Sequence, residues 1–376
     1  SVWLFAGFER RKEVYGKRQL RVSGCVTSAH PETLVIEKPG KDQSSYPRKN
    51  IPEKDIVSES WLLMFVRAIV ILTKWKKISL QNEVILQQVL ADNHIQFDYN
   101  SAIRILIAQK NVFGVLLEIT HKPKKVIIEC PYTIMGYVWS LHKKGIPVIE
   151  LQHGVLNDKH YAYNSLYSSP ILYPDEICVF GQDEYEYLNG QDCHYCKKIH
   201  KTGLFFMELA KQSFTNDPLK EFRSKYEKVI LVAGQRGYEE AMAEYVKGAA
   251  RKTSNCLYVY VPRNTDAGLV FDQDNIVYRP GVNIYEYMIW CDVHLTISST
   301  TCLECQYYQK PTIFYNYADM SVNYYYKVLK PENGVVYTGS VDEYETALDT
   351  VLTKQFVYKE VFASDTVEKI KLIIEK

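Results

Sequence analysis

Short apolar segments alternate with segments of helical length along most of the chain, and this alternation restricts its fold more than any other feature. The apolar runs are rich in Val and Ile and nearly continuous, as is typical of parallel strands covered on both faces. Strands are predicted over residues 2–5, 33–36, 69–72, 126–128, 148–151, 177–180, 229–233, 257–261, 276–278, 293–297 and 312–315. Helical patterns, such as residues 132–144, 238–252 and 301–309, separate several of them. The alternation predicts a doubly wound α/β fold.

Two such series of strands and helices are present. One series ends near Gly181 and the other begins near Val229, and the total of 376 residues suits two domains. We expect one Rossmann-like domain over residues 1–203 and a second over residues 204–355. The remaining residues, 356–376, are expected to form a C-terminal helix that packs back on the first domain.

Charge and cysteine content bear on partners and compartment. The 45 Lys and Arg residues nearly balance the 44 Asp and Glu residues, and the net charge of +1 predicts no general binding of nucleic acid. The cysteines number nine and lack a regular spacing, which favours a reduced cytoplasmic compartment over a disulfide scaffold.

Contact with a membrane is expected to be peripheral at most. The longest apolar stretch, residues 61–75, carries two basic residues and falls short of the ~20 residues that span a bilayer. We expect a buried helix or strand there. A basic cluster near the N-terminus is either a solvated face or a contact for anionic lipid, at the inner face of the cytoplasmic membrane, or for a charged acceptor. Its members are Arg10, Arg11, Lys12, Lys17, Arg18 and Arg21.

The segment Gln152-His153-Gly154 follows a predicted strand. Ligands of open α/β sheets bind beyond the carboxyl ends of the strands, so residues at these positions are candidates for chemistry. We predict that His153 is a general base or a phosphate contact, whereas the alternative is a structural histidine that caps the strand. Glu150 is the reserve candidate, although strand alternation places its side chain opposite that of His153 unless the strand ends first.

Two further strand ends could bind a phosphate. Gly234 and Gln235 form a small-residue turn between a strand and a helix, where free backbone N–H groups suit an anion. Arg263 follows the next strand and could bind a phosphate or an acidic sugar through two parallel hydrogen bonds. An ordinary strand-to-helix turn and a solvated loop arginine are the respective alternatives.

A run of hydroxyl residues gives the most specific pattern in the chain. Ser298, Ser299 and Thr300 follow a strand and precede a helix that carries Glu304 about one turn in. Hydroxyl groups at a helix start either cap its N–H groups or share them with a phosphate. Glu304 would then lie within reach of a ribose diol. The alternative is a simple helix cap followed by a surface glutamate.

Residues 296–314 resemble the donor-site region of GT-B glycosyltransferases, in which a Ser/Thr-rich turn, a ribose-binding Glu and a Lys-Pro-apolar strand recur. Ser340 and Glu343, read as a capping box, resemble the end of that domain. The segment Glu-Leu-Gln-His-Gly at 150–154 is similar to bacterial capsule and lipopolysaccharide transferases that use CMP-linked sialic acid or Kdo. It also resembles the teichoic-acid CDP-glycerol phosphotransferases. The His-Pro pair of many CMP-sugar transferases is absent.

The resemblance implies a GT-B fold, with two doubly wound Rossmann-like domains that face across a cleft. The first would bind a glycan or lipid-linked glycan acceptor and the second a nucleotide-activated sugar. It implies a glycosyltransferase of surface-polysaccharide synthesis, with His153 as base, Ser298, Ser299, Thr300, Gly234, Gln235 and Arg263 at the phosphate, and Glu304 on the ribose. No cofactor and no metal are expected. The alternatives are a CDP-polyol phosphotransferase of teichoic-acid type, a sugar-nucleotide 2-epimerase on the same fold, and a carbohydrate-binding module without activity.

Overall fold

The computed structural model describes residues 1–7, 11–40, 48–157, 160–164, 169–191, 195–265 and 268–376. The chain divides into two compact units. The first comprises Ser1–Phe205 together with Ser364–Lys376, and the second comprises Phe206–Ala363.

The first unit is built on a parallel sheet of seven strands in the order β5-β4-β1-β6-β7-β8-β9. These strands are β1 (Val2–Gly7), β4 (Leu34–Lys38), β5 (Ile56–Ser58), β6 (Lys125–Ile128), β7 (Val148–Leu151), β8 (Glu176–Val179) and β9 (Lys198–Lys201). An antiparallel hairpin, β2 (Arg11–Val14) and β3 (Lys17–Leu20), follows β1. The helices are α1 (Gly24–Ala29), α2 (Ser60–Leu72), α3 (Glu83–Asp92), α4 (Tyr99–Ile119), α5 (Met135–Lys143), α6 (Gln182–Asn189) and, at the chain end, α13 (Thr366–Glu375).

The second unit has a parallel sheet of six strands in the order β12-β11-β10-β13-β14-β15. The strands are β10 (Lys228–Ala233), β11 (Cys256–Val261), β12 (Ile276–Tyr278), β13 (Val293–Thr296), β14 (Thr312–Tyr315) and β15 (Val335–Thr338). Its helices are α7 (Phe205–Ser213), α8 (Glu239–Lys252), α9 (Ile284–Met288), α10 (Thr301–Tyr307), α11 (Met320–Tyr325) and α12 (Tyr344–Thr353). The prediction of two doubly wound α/β units is confirmed.

Aromatic side chains fill the core of the first unit. Phe113 of α4 stacks on Tyr137 of α5 with ring centroids 4.8 Å apart, and Phe5 of β1 meets Phe113 edge-on. All three side chains are buried. Removing such a ring from a packed core costs about 3–5 kcal/mol, so this cluster is a main source of the unit's stability.

Several sequence predictions are wrong. Residues 69–72 are the last turn of α2 and not a strand, because a continuous apolar run of this length suits either element. The expectation that residues 61–75 are buried holds for only one face of α2. The Ser340 side chain makes no capping hydrogen bond, and Glu343 instead accepts one from the backbone of Gly339.

The basic cluster near the N-terminus is not one exposed face. Arg11 is only 3% exposed, because its guanidinium pairs with Glu37 at 2.5 Å and Glu53 at 2.8 Å. Arg10 lies outside the described residues. Both side chains of the Arg11–Glu37 pair are fully buried, so the pair is an internal one within the unit. Burial raises the pKa of Glu37, and the nearby Arg11 charge opposes this rise in part.

Candidate active site

Glu150 and His153 come together at the carboxyl end of β7. The strand ends at Leu151, so alternation stops and both side chains turn to the same side. Glu150 is fully buried, and the His153 side chain is only 7% exposed. The His153 Nδ1 atom lies 3.8 Å from Glu150 Oε1. A carboxylate in this place stabilises the imidazolium that forms when a histidine takes up a proton.

Two buried tyrosines hold the Glu150 carboxylate. The hydroxyls of Tyr163 and Tyr195 donate to it at 2.5 and 2.7 Å. Burial, reinforced by the Glu150 charge, raises the pKa of both tyrosines well above their usual value, so both keep the protons that they donate. Glu150 is therefore enclosed and is not open to a substrate as the sequence prediction of a reserve base required.

Tyr132 covers the other nitrogen of the imidazole. Its hydroxyl lies 2.9 Å from His153 Nε2, and the Tyr132 side chain is itself 41% exposed. The turn after β7 is held by Gln152, which accepts from the backbone of Phe180 and donates to the carbonyl of Gly154. A Cβ atom built at Gly154 would meet no atom within 4 Å, so there is space beside His153.

A pocket of about 350 Å³ lies at the carboxyl ends of β1, β4 and β6 in the same unit. Tyr132 lines it, and so do Lys38, Glu59 and Glu129. Glu129 accepts from Ser23 at 2.5 Å. Burial raises the pKa of Glu59, and the nearby Lys38 charge lowers it in part. A mostly apolar wall, which includes Phe5 and Ile134, with a few polar groups suits a small ligand that carries hydroxyl groups.

The pocket residues Glu129 and Tyr132 were not predicted from the sequence. Glu129 directly follows β6 and Tyr132 comes shortly after it, and these positions were the signal, because residues that follow the strands of a parallel sheet gather at the same end of the sheet.

In the second unit, Ser298, Ser299 and Thr300 follow β13 directly. The two serines are half-buried and Thr300 is exposed. The backbone N–H of Ser299 donates to Thr296 Oγ1, and the Ser299 hydroxyl accepts from the backbone of Thr301, both at 3.4 Å. The hydroxyl run is therefore accessible and only weakly engaged.

Glu304 lies in the first turn of α10, as predicted, but it is only 2% exposed. The Tyr285 hydroxyl donates to its carboxylate at 2.9 Å. The structure thus shows Glu304 as an internal acceptor, and its contact with a ribose stays a prediction. The alternative of a surface glutamate is wrong.

Gly234 packs closely against Glu239 and Pro262. A Cβ atom there would lie 2.5 Å from Glu239 Oε2 and 2.9 Å from the Cα atom of Pro262. Its backbone N–H donates to the carbonyl of Val261 at 2.9 Å, which extends the sheet ladder. That N–H group is consequently not available to a phosphate, contrary to the sequence prediction. Gln235 beside it is half-buried.

Glu239, which sequence analysis missed, holds the loop after β11. Its Oε1 atom accepts from the backbone N–H groups of Arg263 and Asn264 at 2.8 and 2.9 Å. Its Oε2 atom accepts from the Tyr260 hydroxyl at 2.9 Å. An internal carboxylate thus occupies the two amides that a phosphate would otherwise use at this strand end.

Three arginines follow three neighbouring strands of the second sheet. Arg236 follows β10, Arg263 follows β11 and Arg279 follows β12. The side chains of Arg236 and Arg263 are exposed. Together with the hydroxyl run after β13, they place groups that suit an anion at the carboxyl ends of four adjacent strands. The sequence showed each arginine, but only the strand order reveals that they are neighbours.

Within the part of the chain that the structure describes, no group of three or more His, Cys, Asp or Glu side chains is placed to hold a metal ion. Within the same residues, no helix is both long and apolar enough to cross a membrane.

No family model matches the chain, and no curated protein matches it. Solved structures do resemble it along its whole length. UDP-GlcNAc 2-epimerase from Methanocaldococcus jannaschii gives a TM-score of 0.59 at 11% identity, covering 100% of this chain and 98% of that one. The enzyme of the same name from Neisseria meningitidis, bound to UDP-GlcNAc, gives 0.54 at 14% identity, with the same coverage.

A structure described as the glycotransferase of kitacinnamycin gives a TM-score of 0.57 at 12% identity, covering 100% of this chain and 94% of that chain. At these identities the likeness shows the fold alone. The expected GT-B architecture of two Rossmann-like units is confirmed.

Proposed function

We propose that this chain is an enzyme that acts on a nucleotide-activated sugar. The observation that carries the proposal is the carboxyl end of the second sheet, where the hydroxyl run follows β13 and an arginine follows each of the next three strands in the order, β10, β11 and β12. Hydroxyl and guanidinium groups are the usual partners of phosphate oxygens. In this proposal Ser298, Ser299 and Arg263 contact the phosphates and stabilise the charge of the leaving nucleotide.

His153 is the proposed base. Its Nε2 atom lies 2.9 Å from the hydroxyl of Tyr132, which lines the neighbouring pocket. The Tyr163 hydroxyl, 3.4 Å from Nδ1, orients the ring, and the Glu150 carboxylate that accepts from this hydroxyl stabilises the protonated imidazole. The pocket beside Tyr132, with its few polar groups, is the proposed site for the hydroxyl-bearing part of the substrate. Neither the proposed phosphate contacts nor the proposed base requires a metal ion.

Two reactions fit these groups, and different observations favour them. The similarity to the UDP-GlcNAc 2-epimerases from Methanocaldococcus and Neisseria favours 2-epimerisation of a UDP-sugar. The presence of one histidine backed by a carboxylate, next to a pocket, favours glycosyl transfer, in which one base removes one proton from an acceptor hydroxyl. A capsule or lipopolysaccharide glycan is the proposed acceptor for that second reaction.

A panel of nucleotides gives the first test of the proposal. Thermal unfolding of the full chain is followed with UDP, CDP, CMP and GDP, because a ligand that binds the folded state raises the melting temperature by mass action. At least one nucleotide should raise it, and Arg263→Ala should reduce the shift. If no nucleotide raises the melting temperature, the proposed site is wrong and a carbohydrate-binding module becomes the better reading.

Product analysis then distinguishes the reactions. The sugar nucleotide that binds is incubated with the enzyme alone and followed by proton NMR. An isomerised donor without any acceptor identifies the epimerase. Consumption of the donor only when a glycan is added identifies the transferase. A product mass that retains a phosphodiester identifies the CDP-polyol phosphotransferase.

A further inference from the structure

The outer face of α2 is apolar and exposed. Leu62 and Val66 on its inner face are buried against the core of the first unit. On the opposite side, Ile71 and Leu72 are 70% and 71% exposed, and Trp75 just beyond the helix is 79% exposed. A helix that is apolar on all sides is stable where something covers its second face. We call this surface the α2 face; it comprises Met64, Phe65, Arg67, Ala68, Ile71, Leu72, Lys74, Trp75, Lys76 and Lys77.

The neighbouring helices extend the same surface. No residue of α3 is buried, and Val84 and Ile85 are 79% and 63% exposed. The Arg104 guanidinium of α4 donates to the carbonyls of Thr73 and Lys76, which joins the end of α2 to α4. Most of the exposed large apolar side chains among the described residues lie between positions 64 and 119. Isolated apolar side chains are ordinary on protein surfaces, whereas a concentration of them marks an interaction surface.

Basic side chains border this apolar surface. Arg67, Lys74, Lys76 and Lys77 are all exposed, and the sequence contains no acidic residue between positions 60 and 82. The Lys76 Nζ atom lies 5.4 Å from the centre of the Trp75 ring. Tryptophan and lysine beside an apolar helix face are typical of segments that lie in the headgroup region of a membrane.

The charge of the α2 face decides between two occupants. A second copy of the chain related by a two-fold axis would bring like surfaces together and oppose the four positive charges with four more. A membrane that contains anionic lipid offers negative headgroups to the basic side chains and, directly beneath them, an apolar interior to the apolar side chains. Each Lys or Arg near such a surface strengthens binding about fivefold.

We propose that the α2 face docks on a membrane surface that contains anionic lipid. The helix lies in the plane of the interface, since its 13 residues are too few to span a bilayer. Leu72, Ile71 and Trp75 enter the boundary between headgroups and acyl chains, and the lysines contact lipid phosphates. This inference rests on the first unit alone and stands whether or not the proposed sugar-nucleotide chemistry is correct.

The test is vesicle co-sedimentation of the full chain. Phosphatidylcholine vesicles are compared with vesicles that also contain phosphatidylglycerol, at low and high salt. We expect binding to the anionic vesicles only, with weakening as salt screens the lysines. The combined change Lys74→Gln, Lys76→Gln and Lys77→Gln should weaken binding about 100-fold, from about fivefold per lysine. The pair Leu72→Ser and Trp75→Ser should also weaken it.

Matched controls come from the second unit. Val270 and Val357 are 78% and 79% exposed, so Val270→Ser with Val357→Ser matches the apolar pair in exposure. Lys220, Lys225 and Lys354 are exposed and provide the corresponding triple change to Gln. Both controls should bind vesicles like the unchanged chain.

Three results would overturn the proposal. One is the absence of binding to anionic vesicles, and another is binding that neither α2-face variant weakens. The third is a dimer, seen by sedimentation velocity, that the α2-face variants dissociate while vesicles bind nothing. That last result would assign the surface to a second copy of the chain.

Discussion

The imidazole of His153 faces the carboxylate of Glu150, with Nδ1 3.8 Å from Oε1, although the two residues stand three positions apart on one strand and turn. A strand that continued would have placed them on opposite faces of the sheet. Because β7 ends at Leu151, the chain turns and brings the pair together at the sheet edge. The pair places a fully buried carboxylate beside the imidazole of a largely enclosed histidine, which is the arrangement of an oriented base.

Replacing His153 tests the proposed base. His153→Ala should lower turnover by about 10²–10⁴-fold, the usual effect of losing an acid/base group. Initial rates at a saturating donor concentration measure the turnover. His200→Ala is the control, because His200 is also hydrogen-bonded to a glutamate, Glu176, in the same sheet. Near-normal turnover in the His153 variant would show that this histidine is structural.

Glu150→Gln tests the positioning role separately. The substitution removes the negative charge beside Nδ1, so the acidic limb of the pH–rate profile should move to lower pH while donor affinity is kept. A fall in rate at every pH, without movement of the limb, would assign Glu150 to packing with Tyr163 and Tyr195 alone.

Two glycines at strand ends should respond differently to the same change. Gly234→Ala places a Cβ atom 2.9 Å from the Cα atom of Pro262, which cannot move aside, so we expect a loss of about 1–3 kcal/mol in unfolding free energy. Gly154→Ala meets nothing within 4 Å and should change the unfolding free energy by less than about 0.5 kcal/mol. Urea unfolding of the two variants measures the difference. Equal effects would contradict the packing described for Gly234.

Arg263 should affect binding and not folding. Its side chain is exposed, so Arg263→Ala should leave the unfolding free energy within about 0.5 kcal/mol of the unchanged chain. Loss of a charge-assisted phosphate contact should weaken nucleotide binding about 10-fold or more. Calorimetric titration measures the affinity. Arg251→Ala is the control, since Arg251 is exposed at the far end of α8 and precedes β11.

His294 should make the second unit sensitive to acid. It is fully buried between Thr301 and Thr312, and burial lowers its pKa to about 3. Between the usual value near 6.5 and that value, the unfolded chain binds a proton that the folded chain does not, so this contribution to stability falls as pH falls through that window. The slope reaches about 1.4 kcal/mol per pH unit.

Urea unfolding from pH 7 to pH 4 compares the chain with His294→Gln. The variant loses some stability at pH 7 but should show a shallower decline with acid. Parallel declines would mean that His294 is protonated in the folded state.

A chelator should leave activity unchanged, as expected from sequence. Treatment with EDTA before the donor assay tests this. Full loss of activity that Mg²⁺ restores would reverse the expectation and require a metal site outside the residues named above.

The strands of the two sheets were largely predictable, because buried parallel strands leave a nearly continuous apolar signal. Strands β5, β9 and β15 were not predicted; β9, for example, reads Lys-Ile-His-Lys and has exposed ends. The last turn of α2 was mistaken for a strand, since its outer face is as apolar as its inner one.

The candidate site was predictable by position and less so by role. Strand ends identified His153, Arg263 and the hydroxyl run. The sequence could not show that Glu239 occupies the amides after β11, because that contact joins residues 24 and 25 positions apart. Nor could it show that Glu304 is enclosed beside Tyr285.

Tyr132 belongs to two places at once, since it forms a wall of the 350 Å³ pocket and also shields His153 Nε2. One side chain thus connects the pocket wall to the nitrogen of the proposed base, so a ligand bound in the pocket would contact the residue that covers this nitrogen.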